Sequence, residues 1–448
     1  MNLLKDLFGI DTDLEESYKP EELSYKPDGF SYKPMPISSE ILQRLIPIRS
    51  FPTEELQSFA WSRTAEVFCP GSVLFKRDQL ARYLFYLLEG VVRIEVDDHN
   101  SYEISANSEL TKFPICGGIS YSATCIAATK IQVLRISHKV LGWQGYNSTL
   151  PPTSYVEINE ETIPEQTRSS QFYQVFYQDF RSENLRIRTL PDVVQKLKLL
   201  LVREVGFKKA IQAMQVEPTI ALKLVQLSNS GLYLPGHPVN NCHNAVYRLG
   251  LSATKNLVID YCLNETFSLH DEFLTQLIRD EWVSSLYLSK ICRVMAEKIP
   301  GINPKSAQLA GLIANIGKLP ILAFAENFPH EYWTPEDIFN VLDSLQGRVG
   351  SYVLAHAGFP QELVEVPMLA ENWKYDSGQQ MTLSDVVVLS RLHYLWGTKT
   401  KRLLPPLKSL PAFAKLASGT LNPENSLHIL NFAKAKASSV LKLFNSER

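Results

Sequence analysis

The chain has 448 residues, too many for one ordinary hydrophobic core and enough for two domains with linkers. Hydrophobic residues make up 45% and charged residues 21%, a globular balance that excludes a disordered or fibrous chain. A formal net charge of -2 and a pI near 6.5 exclude a nucleic-acid binder held by a large basic field.

The start, MNLLKDLFGID, carries acidic residues and no long apolar run, which argues against a signal peptide. Leu3, Leu4, Leu7 and Phe8 could line one side of a short helix. Then Ser17-Tyr18-Lys19-Pro20, Ser24-Tyr25-Lys26-Pro27 and Ser31-Tyr32-Lys33-Pro34 repeat one tetrapeptide every seven residues. Proline in each copy rules out a continuous helix, so the repeat is an extended, polyproline-like tether. Either the terminus has no role, or it presents a docking peptide.

Residues 40–62 have helical spacing at Ile41, Leu42, Leu45 and Ile46. Short segments rich in β-branched and aromatic residues follow at 66–68, 72–75, 83–88 and 91–96, with turns at Gly71, Gly90 and 97–101. Strands this short and frequent predict a small antiparallel barrel or jelly roll. The Pro-, Ser-, Thr- and Glu-rich stretch 145–165, with its Pro151-Pro152 pair, is a linker. Phe172, Tyr173, Phe176 and Phe180 recur at helical spacing and predict a connecting helix packed on one domain.

From about Leu185 onward the pattern is helical. Residues 309–325 form the most apolar long segment, yet it is short for a bilayer span and contains Asn315, Lys318 and Pro320. It is expected as a buried helix. Near the end, Leu427, Leu430, Ala433, Val440, Leu443 and Phe444, with Lys434, Lys436 and Lys442 interspersed, predict an amphipathic helix packed onto the helical domain, with membrane-surface binding as the alternative. Cys69, Cys116, Cys125, Cys242, Cys262 and Cys292 form no CxxC pair and fit small core residues in a reducing compartment. The histidines are scattered, with no HxxxH or HExxH pair.

Pro70-Gly71-Ser72-Val73-Leu74-Phe75 followed by Tyr83-Leu84-Phe85-Tyr86-Leu87-Leu88-Glu89-Gly90-Val91 resembles the opening strands of a cyclic-nucleotide-binding domain over residues 37–142. The resemblance implies a phosphate cassette: a Gly-Glu pair, a short helix, and an Arg before small residues. Gly118-Ile119 stands in place of Gly-Glu, and Tyr121 takes the place of the arginine before Ser122, Ala123 and Thr124. Losing the guanidinium removes a charge-assisted hydrogen bond worth roughly 1.5–3 kcal/mol, so classical cyclic nucleotide binding is not expected.

The second resemblance is to the HDOD domain, a helical relative of the HD phosphohydrolases. It is carried by Leu190-Pro191-Asp192, Glu217-Pro218, Asn229-Ser230, and Arg248-Leu249-Gly250 at the spacing of that family. Locally, Pro218 suits a first helical turn, Gly231 is a candidate left-handed cap, and Gly250 ends a helix in the same manner. Arg248 is either a surface or helix-capping charge or a donor to a buried carbonyl. The comparison with HD enzymes implies metal ligands at four places. Ser284, Ala314-Asn315 and Ala370 stand there instead, and alanine cannot coordinate a metal.

The expected fold is α+β and multidomain, a small antiparallel β-barrel or jelly roll followed by an all-α HDOD domain. The divisions fall at 1–36, 37–142, 143–185, 186–402 and 403–448. The expected function is non-catalytic signal transduction in the cytoplasm, with no cofactor and no metal. It would act through signalling protein partners, with no nucleic acid and no integral membrane part, and a homodimer is compatible with it. Two alternatives stay open: a metal-dependent phosphohydrolase with a non-standard site, and a sensor gated by a small ligand.

Overall fold

The computed structural model describes residues 35–96, 100–116, 120–137, 162–182, 185–202, 207–230, 232–233, 238–264, 266–267, 270–396, 404–416, 428–432, 434–435 and 437–438. The repeats of the N-terminus lie outside them. The chain divides into two compact units, Met1–Tyr146 and Asn147–Arg448.

The first unit opens with α1 (Ser39–Leu42), where the Ser38 hydroxyl accepts from the Ile41 amide at 3.3 Å. The single helical region expected over 40–62 is broken. A 3-10 turn at Ile48–Ser50 and Pro52 separate α1 from α2 (Thr53–Trp61), because proline cannot continue the hydrogen-bond ladder. Seven strands follow among the described residues: β1 (Glu66–Phe68), β2 (Val73–Phe75), β3 (Tyr83–Glu89), β4 (Val91–Glu95), β5 (Ser101–Ser105), β6 (Thr124–Ala127) and β7 (Ile131–Ser137). They form two antiparallel sheets, ordered β1-β7-β3 and β2-β6-β4-β5.

Strand β4 shows the usual alternation, with Val92 and Ile94 inside and Arg93 exposed. Strand β3 does not alternate, since Leu84, Phe85, Tyr86 and Leu87 are all buried. Phe85 and Leu87 join the core between the sheets. On the other face the Tyr86 hydroxyl donates to the Ile46 carbonyl at 2.9 Å, so the helical lead-in covers that side. A strand covered on both faces has to be apolar throughout.

The second unit is helical. Its first helices, α3 (Glu165–Ser169) and α4 (Gln171–Arg181), precede α5 (Pro191–Val202), α6 (Phe207–Met214), α7 (Pro218–Ser228), α8 (Cys242–Leu249) and α9 (Leu251–Asn264). Then come α10 (Glu272–Ala296), α11 (Pro304–Ile313), α12 (Lys318–Asn327) and α13 (Pro335–His356). The short α14 (Gln361–Val364) and α15 (Val366–Leu369) lead to α16 (Leu383–Trp396) and α17 (Pro411–Ala414).

The apolar stretch 309–325 is therefore two helices, not one. The chain turns at 314–317, where a Cβ on Gly317 would lie 2.0 Å from the Gln346 carbonyl oxygen of α13. Only glycine permits that approach. Pro304–Asn327 is long and apolar enough by composition to cross a bilayer, and 89% of its apolar window is buried inside the protein. The stretch is the centre of the helical core.

Phe172, Tyr173, Phe176 and Phe180 are buried on α4 as their spacing predicts. Phe172 and Phe176 pack edge-on or tilted against Phe324 of α12, and Phe180 meets Tyr352 of α13. At the C-terminal end Ile429 and Ala437 are buried, and the Ser438 hydroxyl lies 3.2 Å from that of Tyr287 on α10. Leu427, Ala433, Val440, Leu443 and Phe444 lie outside the described residues.

Candidate functional site

In the barrel, Tyr121 lies three residues before β6 and its ring is buried in the core. It stacks on Phe75 with centroids 4.0 Å apart, and its hydroxyl donates to the Tyr83 carbonyl at 2.7 Å. Burial raises the phenol above its ordinary range, so the ring is neutral. The cation whose charge acts on it, Arg135, is held by Glu66 at 2.8 Å and lies over the Tyr83 ring. Ser122 is exposed and its hydroxyl hydrogen-bonds the Cys116 thiol. Gly118 and Ile119 lie outside the described residues. Tyr121 thus supplies packing where a phosphate site would need a fixed positive charge.

In the helical unit three of the positions implied as metal ligands, Ala314, Asn315 and Ala370, fall around one polar cluster between α10, α12, α13 and α16 that is largely buried except at Glu371. Asn315, 6% exposed, donates through Nδ2 to Glu281 Oε2 at 3.2 Å and accepts at Oδ1 from Arg391. Lys318 Nζ donates to the other Glu281 oxygen at 2.7 Å. Arg391 also donates to Glu371, whose second oxygen accepts from Gln346 Nε2 at 3.1 Å. Ala314 and Ala370 are buried beside it in sequence and offer no donor. Ser284 is not part of it. One turn beyond Glu281 on α10, it bonds the Tyr394 hydroxyl one turn beyond Arg391 on α16.

Two carboxylates are met by two internal cations, so the cluster closes on itself. Burying these charges is tolerable only because each is paired and hydrogen-bonded. Among the described residues no three His, Cys, Asp or Glu side chains stand together as a metal-holding group. A metal would have to displace Lys318 and Arg391 from their carboxylates. These residues do not fit one.

The HDOD motif residues hold the turn between α7 and α8. Glu217, as N-cap of α7, accepts from the Ile220 amide at 2.6 Å, and Pro218 takes the first helical position. Asn229 accepts from the Val239 amide at 2.7 Å while donating to the carbonyls of Val239 and Gly358. Arg248 donates to the Ser228 carbonyl at 3.2 Å; Ser228 is buried and is the last residue of α7, so the contact fits both the helix-capping and the buried-carbonyl readings and not a free surface charge. Ser230 is buried, and its hydroxyl has no hydrogen-bond partner among the described residues. Gly231 lies outside them. Gly250 does end α8 at a positive φ of 85°, but its ψ of 160° is extended, so the cap is not the left-handed one expected. The chain goes straight into α9 and needs a corner there, not a stop.

Glu217 and Asn315 share a small cavity with Arg188, Glu281, Trp282 and Ser285, about 20 Å³ in volume. That is room for about one water molecule. Burial pushes the Glu217 carboxyl up to about 8, against the lowering effect of hydrogen bonds from Ile220 and Thr219.

Sequence reasoning missed Glu281, Lys318, Gln346, Glu371 and Arg391 as members of the cluster. The signal for Arg391 was its place in an apolar run, 386–392, where a guanidinium demands a partner.

Comparison with known proteins places these observations. The family model of the HDOD domain matches residues 187–372, and that of the cyclic nucleotide-binding domain matches residues 65–143. No curated protein matches the chain. Among solved structures, the MmoQ response regulator of Methylococcus capsulatus is 17% identical, covering 55% of this chain and 98% of its own, with a TM-score of 0.41. A protein of Shewanella amazonensis, whose name proposes a metal-dependent phosphohydrolase, is 24% identical over 59% of this chain and 99% of its own, with a TM-score of 0.37. A cyclic nucleotide-binding-like protein of Brucella abortus is 19% identical over 24% and 95%, with a TM-score of 0.19. The chain is a signalling or regulatory protein in which a cyclic nucleotide-binding domain is followed by an HDOD domain.

Proposed function

We propose that the protein is non-catalytic and that its HDOD domain acts through contacts with signalling partners in the cytoplasm. The observation behind this reading is the closed cluster of Glu281, Asn315, Lys318, Glu371 and Arg391 where the comparison with HD enzymes implies a metal. Phosphoester hydrolysis of the HD type needs a metal-made hydroxide and open coordination positions. Two cationic side chains locked onto the local carboxylates supply neither. On the barrel side Tyr121 fills the core without a positive charge, so the domain serves packing or contact in place of classical cyclic nucleotide recognition.

The test is elemental analysis of the purified chain, paired with hydrolysis assays on cyclic dinucleotides and simple phosphate esters. The expected result is no stoichiometric metal and no turnover. Stoichiometric metal together with turnover that a chelator abolishes would establish the phosphohydrolase alternative. Calorimetry with cyclic AMP and cyclic GMP tests the barrel, and tight binding of either would overturn that part.

A further inference from the structure

A cleft of about 490 Å³ runs along one face of α12. Pro320, Ala323, Phe324 and Asn327 form its floor, and their spacing places them on a single stripe of that helix. Asp179, near the end of α4, borders it. Leu185 and Arg186, which lead toward the HDOD domain, also line the cleft.

Asp179 is unfavourably placed for its own fold. It lies in the last turn of α4, where the helix dipole opposes negative charge. It is half-buried, and burial raises its carboxyl, an effect that the Arg186 charge only partly counters. Among the described residues no side chain donates a hydrogen bond to Asp179, and no cation lies within ion-pair distance of it. Arg186 is exposed and likewise meets no carboxylate at that distance. The two opposite charges border one cleft of mixed polar and apolar lining without forming an ion pair with each other.

We propose that this cleft binds a free amino-acid zwitterion with an apolar side chain. Its ammonium group would bond Asp179, its carboxylate would meet the Arg186 guanidinium, and its side chain would lie on Pro320, Ala323 and Phe324. A lone carboxylate is too few ligands for a metal ion, and a single guanidinium is too little charge for a polyphosphate. The volume lies within the range of small-ligand sites. An occupant would join the end of α4, which precedes the matched HDOD residues, to the central helix of that domain. The proposal does not depend on the absence of catalysis.

Isothermal calorimetry on the full chain tests it, with L-leucine and L-phenylalanine first and then the other common L-amino acids. Isoamylamine and 4-methylpentanoate serve as analogues carrying one charge each. Saturable binding of an apolar amino acid is expected, with each analogue weaker by about tenfold or more, the worth of one charge-assisted hydrogen bond. Asp179→Asn and Arg186→Gln should each weaken binding by a similar factor. Thermal unfolding without ligand should show Asp179→Asn folded and no less stable, since it removes a half-buried charge that Arg186 only partly compensates. No saturable binding up to about 10 mM, weaker than the millimolar affinity of a single modest site, would overturn the proposal. So would unchanged affinity in a folded Asp179→Asn chain, or an amine that binds as well as the amino acid.

Discussion

Glu217 caps α7 from inside the protein, and its carboxyl is raised by burial from 4.5 to about 8. The folded state therefore keeps a proton that the unfolded chain releases between those two values. The contribution of Glu217 to stability is then greatest below the ordinary carboxylate range, falls as pH rises through that window, and levels off above about 8. Glu217→Gln keeps an acceptor for the Ile220 amide but removes the titration. Urea unfolding from pH 5 to 8.5 should show a flatter dependence in the variant than in the parent. Tyr121 gives a second prediction at this scale. Tyr121→Ala empties a core position stacked on Phe75 and should cost about 3–5 kcal/mol, read from denaturant unfolding. That Tyr121 replaces an arginine was legible in the sequence. That its ring fills the core was not, because a side chain's direction depends on the strands packed around it.

At the scale of elements, α4 is fastened to the HDOD domain by an aromatic stripe. Phe176 is fully buried and meets Phe324 at a centroid distance of 5.4 Å. Phe176→Ala should destabilise the helical unit by about 3–5 kcal/mol, checked by chemical unfolding followed through helix signal. A second fastening holds α17. Lys415 donates to the fully buried Asp385 at 3.1 Å, and Asp385 also accepts from Ser377 and the Thr382 amide. Lys415→Met strands a buried carboxylate and should cost about 3–5 kcal/mol. Adding Asp385→Asn to Lys415→Met should recover part of that loss, which unfolding of the double variant measures. The aromatic stripe was legible because a period near 3.6 survives in sequence. The Lys415–Asp385 pair was not, since its partners are 30 residues apart with no periodic signature.

For the whole molecule, the closed charge cluster predicts indifference to chelators. If a metal held the helices together, its removal would lower the unfolding temperature by mass action. Dialysis against EDTA should instead leave the transition within about 1 °C, while Arg391→Ala should lower it by frustrating Glu371 and Asn315 together. Differential scanning calorimetry reads both outcomes.

Composition and periodicity by themselves determined the class of each half and the strand-rich region ahead of the helical one, while the resemblance to HD enzymes implied that Ala314 and Ala370 stand where donor groups would be. Those features are written locally, as residue type and repeat distance. Only the tertiary structure decided that Glu281, Lys318, Glu371 and Arg391 close one cluster around Asn315, and that the apolar stretch 309–325 breaks at Gly317. Charge pairing and close backbone approach act through space between distant segments, and no local pattern of one chain records which segments will meet.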